Sequence, residues 1–90
     1  MTEATETREA LADYVRSRAE LARRAELPAP AERRRIREAA GVSQQQVADE
    51  LGVSATALSY WERGTWTPTL ENAVAYRRIL DELAAVARAS

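Results

Sequence analysis

The sequence predicts an all-α fold, a compact bundle of about five helices. Three observations predict it. Three glycines and three prolines cut the chain into helix-sized segments. Within those segments apolar residues recur at spacings of three and four. The β-branched residues are scattered, and no run alternates apolar with polar residues for long enough to make a strand.

The first segment, Glu3 to Leu27, is helix-favouring throughout, and Ala10, Leu11, Tyr14, Val15, Leu21, Ala22 and Ala25 share one face that Arg18 interrupts. A lone amphipathic helix cannot bury that stripe, so it packs either on its own domain or on a partner chain. Pro28 and Pro30 then mark a linker, which divides the chain into 1–30 and 31–90. A second helix runs from Ala31 to its stop at Gly41, with Ile36 and either Ala39 or Ala40 inward. Ser43 is the N-cap of the next helix, QQQVADEL, and Gln46 three residues on completes a capping-box pattern. Val47, Ala48 and Leu51 face its core side. After Gly52–Val53, Ser54 caps ATALSYWER, which Gly64 ends. Thr69 caps a last helix from Leu70 to about Ala87, with Ala73, Tyr76, Leu80, Leu83 and Ala87 on one side.

Composition excludes several functions. With no cysteine and no histidine there are no disulfides, no thiolate nucleophile, no imidazole base and no zinc site built from those ligands. A phosphate-cradling glycine loop and a paired-carboxylate pocket are missing as well, so no enzyme, cofactor or metal is expected. No window approaches the ~20 apolar residues that span a bilayer. The opening MTEATETREA is acidic and polar, unlike a signal peptide, so the expectation is a soluble cytoplasmic protein with no membrane partner. All thirteen basic residues are arginine, whose planar fork suits phosphate. The net charge of −1 is low for a nucleic-acid binder, but it divides into −2 over residues 1–32, +2 over 33–78 and −1 over 79–90.

Two short helices joined by a glycine-containing turn describe a helix-turn-helix. The stretch SQQQVADELGVSATALSYWERG carries Ser43, Gln44, Val47, Ala48, Leu51, Gly52, Val53, Ser54, Leu58, Ser59, Trp61, Glu62, Arg63 and Gly64 at the spacing of the lambda-repressor-like, Cro/cI-type (XRE) DNA-binding proteins, and Pro68 follows. The chain resembles that family from about Glu32 to Leu83. The resemblance does not reach residues 1–30, which form an extra N-terminal helix. The chain departs from the pattern in its low charge, in a loop after Gly64 without lysine or arginine, and in a single long last helix.

On a helical wheel Ala57, Leu58 and Trp61 fall on one side of the second motif helix. Thr56, Ser59, Tyr60 and Arg63 fall on the other, with Ala55 at its edge. The resemblance implies that this outer face reads double-stranded DNA: Ala55, Thr56, Ser59 and Tyr60 at base edges, and Ser43, Gln44, Arg63, Thr65 and Thr67 at phosphates. It also implies a structural pair between Arg37 and Glu62. Arg33, Arg34 and Arg35 point three ways and cannot form one patch. Trp66 has two open readings, as a cover for the core or as a backbone contact. The function implied is a transcriptional regulator, a repressor acting as a homodimer, and phage repressor, antitoxin and host regulator all remain open. The competing reading is a protein-interaction module of the same fold, with a partner engaged through the N-terminal helix.

Overall fold

Glycine and proline place the helix boundaries. The computed structural model describes residues 2–89, with side chains from residue 6 onward. Among the described residues there are five helices and no strand: α1 (Thr2–Arg24), α2 (Pro30–Ala39), α3 (Gln44–Leu51), α4 (Ala55–Arg63) and α5 (Leu70–Ala89). The all-α expectation is met, and α5 is the single long helix that the sequence suggests.

Some ends differ from the sequence reading, each for a local reason. α1 stops at Arg24, short of Leu27, because the residue before Pro28 is biased away from helical geometry. α2 starts at Pro30 rather than Ala31, since proline at the first helical position loses no bond and already has the right φ. α5 runs on to Ala89 because its alanine-rich end contains neither glycine nor proline.

The core lies where α3, α4 and α5 meet. Val47 and Ala48 from α3, Leu58 and Trp61 from α4, and Tyr76 and Leu80 from α5 form one buried cluster, with Ala73 also buried. Trp61 and Tyr76 pack with ring centroids 5.5 Å apart. Leu51, Ile36 and Leu83 close the edges, half-buried. At the end of α2 the half-buried alanine is the C-cap residue, Ala40, whereas Ala39 is exposed. Ala87 is half-buried near the end of α5.

α1 packs on α5. Leu21 and Ala25 are half-buried, while every side chain from Glu6 to Glu20 is exposed. The chain therefore measures 59 × 28 × 21 Å with a radius of gyration of 17.0 Å. A fully compact domain of this length has a radius of about 12 Å, so α1 projects from the body as an arm.

Candidate nucleic-acid interface

The helix-turn-helix is built by two capped helices and one glycine. Ser43 Oγ accepts the Gln46 N–H at 3.1 Å, and Gln46 Oε1 accepts the Ser43 N–H at 2.8 Å, so the capping box that starts α3 is complete. Ser54 Oγ accepts the Ala57 N–H at 3.0 Å at the start of α4. Between the helices, Gly52 takes a left-handed conformation (φ 69°) that a Cβ would strain. The next N–H, from Val53, returns to the Ala48 carbonyl at 3.0 Å. Ala48 is fully buried, and its small side chain lets α3 and α4 approach.

The base of α4 is clamped by a buried polar network. Arg37 donates twice to the Glu62 carboxylate, from Nε at 2.6 Å and Nη2 at 3.0 Å, and a third time to the Val42 carbonyl at 2.9 Å. Gln44 Nε2 adds a bond to Glu62 at 3.0 Å. Arg37 and Glu62 are only 8% and 5% exposed. The hydrogen bond to Glu62, outweighing burial, raises the Arg37 pKa further and holds its guanidinium charged. The structure thus forms the Arg37–Glu62 pair. It also gives Gln44 an inward bond that the sequence does not reveal: one amide proton serves Glu62, and the other has no partner among the described residues.

Of the arginine run, Arg33 is the one absorbed by the fold. Its Nε donates to the Pro28 carbonyl at 2.7 Å and its Nη1 to the Trp61 carbonyl at 3.0 Å, which ties the linker to the last turn of α4. Arg34 pairs with Glu38 and Arg35 with Glu32 on the α2 surface. These bonds keep the three side chains apart, as helical geometry requires.

The outward face of α4 differs in detail from the wheel. Thr56 and Arg63 are exposed, Ser59 and Tyr60 are half-buried, and Ala55 is half-buried against the core. Tyr60 is not an isolated aromatic on a helix face. The Arg63 guanidinium carbon lies 4.6 Å from its ring centroid, and the Trp66 ring lies 4.3 Å from it on a centroid basis, tilted by 40°. Trp66, 51% exposed, therefore neither enters the core nor stands free; it covers Tyr60. The Gly64 turn makes this contact, bringing the Thr65 N–H to the Tyr60 carbonyl at 2.9 Å. An Arg–Tyr–Trp cluster of this kind cannot be read from a wheel, because the loop after α4 folds back on its last turn. Arg63 also donates to the Ser59 carbonyl at 3.4 Å, and it has no carboxylate partner among the described residues. Ser43, Thr65 and Thr67 are exposed, and Gln44 is half-buried.

The helix-turn-helix family model HTH_3 matches residues 34–85, more than half of the chain, and the family is XRE-type, Cro/cI-like. The chain belongs to this family. It carries a DNA-binding helix-turn-helix domain of the regulatory kind. No curated protein and no solved structure gives a match. The matched span begins after α1, so the arm lies outside the domain that the family defines. No described helix of the protein is long and apolar enough to cross a membrane.

Proposed function

We propose that the protein is a sequence-specific double-stranded DNA-binding transcriptional regulator that represses by occupying its operator. The observation that carries this reading is the clamp at Glu62. It fixes α4 to α2 and α3 from behind, which supports a reading in which the opposite side of α4, with Thr56 and Arg63 exposed and Tyr60 half-buried, faces the DNA. A major groove about 12 Å wide admits such a helix. Thr56 and Ser59 present hydroxyls to base edges, and the edge of Ala55 meets a thymine methyl. Tyr60 offers a hydroxyl with no partner among the described residues. Arg63, held over Tyr60 and free of any carboxylate among the described residues, takes a phosphate. Thr65 and Thr67, in the loop after Gly64, extend that contact along the backbone, and on the other flank the N-terminus of α3, with Ser43 and the second amide proton of Gln44, takes another phosphate. α4 reads only a few base pairs, so specific affinity requires two copies on an inverted repeat with half-sites about 34 Å apart.

The test is selection of bound fragments from random DNA at low salt, repeated with Thr56→Ala and Tyr60→Phe. The expected outcome is an inverted repeat whose preferred bases change in the variants. Recovery of no enriched sequence would remove this reading in favour of a protein-interaction module.

A further inference from the structure

The first helix uses one apolar stripe twice, and Arg18 is the boundary. Below it, Leu21 and Ala25 are half-buried where α1 meets α5, and Arg18 Nη1 closes the contact on Glu71 Oε1 at 3.2 Å. Beyond it, Leu11, Tyr14 and Val15 are 61, 62 and 57% exposed. They are three of the five large hydrophobics left exposed among the described residues, and all three lie on one face of one helix. A projecting helix without a partner is marginal in water, because most helical stability comes from packing an apolar face.

Charge identifies the partner. Residues 2–13 hold four carboxylates and one arginine, a net of −3, and residues 14–25 hold four arginines and one glutamate, a net of +3. A second copy of α1 laid antiparallel brings each negative half against a positive half, twice over. A parallel copy sets like charge on like and is disfavoured. The antiparallel arrangement is self-complementary under a two-fold axis, as a closed dimer requires. It also sets Leu11 of each copy opposite Tyr14 of the other, with Val15 beside them.

We propose that α1 is a dimerisation arm that pairs antiparallel with α1 of a second copy of this chain, with Leu11, Tyr14 and Val15 of both copies in the seam. This supplies the interface of the homodimer that the proposed regulator needs, and it rests on that reading for its purpose but not for its geometry. Sedimentation equilibrium of the full chain at micromolar concentration and low salt should give a dimer. Leu11→Asp with Tyr14→Asp, both at exposed positions, should weaken it at least about tenfold. The Trp61 core should still melt cooperatively in that variant. A second pair guards against unfolding: Glu6→Arg with Glu9→Arg should be monomeric alone, yet dimerise when mixed with Arg16→Glu/Arg23→Glu. The chain has no cysteine, so a spin label at Glu6→Cys reports direction. An antiparallel pair sets the labels about 20 Å apart along the axis, and a parallel pair sets them about 10 Å apart. A monomeric wild-type chain, a dimer indifferent to both sets of substitutions, or the short label distance would each overturn the proposal. A dimer of this form that binds no DNA would leave it standing while removing the proposed function. A chain that is monomeric in solution yet binds an inverted repeat as two copies would do the reverse.

Discussion

Arg37→Ala tests the clamp that presents α4. The substitution removes both bonds to Glu62 and the bond to the Val42 carbonyl, and leaves only Gln44 on the carboxylate. Side-chain exposure at the pair is 10% for Arg37 and 2% for Glu62, so solvent screening gives little relief. An uncompensated carboxylate at that depth costs about 3–5 kcal/mol. For a domain of this size, each kcal/mol moves the melting temperature by about 4–8 °C, so a fall of at least about 12 °C is expected. Thermal melts followed by circular dichroism measure it. The companion variant Arg37→Met/Glu62→Leu removes both charges at once and should lose distinctly less than Arg37→Ala alone, because no charge is stranded. A melting point within about 3 °C of wild type for Arg37→Ala would refute the reasoning, since the pair would then contribute less than about 1 kcal/mol.

Tyr76 predicts an alkaline transition. Burial, helped by the charge of Glu62 and opposed by Arg33 and Arg37, pushes its phenol up to about 12 from an ordinary 10.0. The folded state thus keeps a proton that the unfolded state gives up, so stability is full below pH 10 and falls by about 3 kcal/mol as pH rises toward 12. Absorbance at 295 nm should show one of the three tyrosines titrating late. The Tyr76 hydroxyl is buried without a hydrogen-bond partner among the described residues, so Tyr76→Phe should be neutral or stabilising by up to about 1 kcal/mol. A clear loss in urea denaturation would contradict that. Gly64→Ala should destabilise more than Gly52→Ala. Both glycines have positive φ, but an added Cβ at Gly64 meets Pro30 Cγ at 3.0 Å, whereas nothing lies within 4 Å at Gly52. Equal losses in paired melts would show that the Pro30 contact yields freely. Arg63→Ala should weaken binding to all sequences alike and reduce the magnitude of the salt slope of log K by about 1. A change in base preference with no change in slope would assign Arg63 to base reading instead.

By itself the sequence determined the helices and their order, because caps and stops act within a few residues of where they stand. Ser43 with Gln46, Ser54 and Thr69 start helices, and Gly52 and Gly64 end them, as read from the chain. The Leu58–Trp61 face and the Arg37–Glu62 pair were legible too, the first from periodicity and the second from the family resemblance. What tertiary structure decided involves groups far apart in the chain. Arg33 reaches from α2 to the Trp61 carbonyl, Gln44 reaches Glu62, and Trp66 folds back over Tyr60. No local pattern encodes those contacts, because each depends on the angle at which two helices or a loop meet. The arm is the same lesson on a larger scale. Periodicity showed one stripe on α1, and only packing on α5 decided that its lower end is spent within the chain while Leu11, Tyr14 and Val15 face outward.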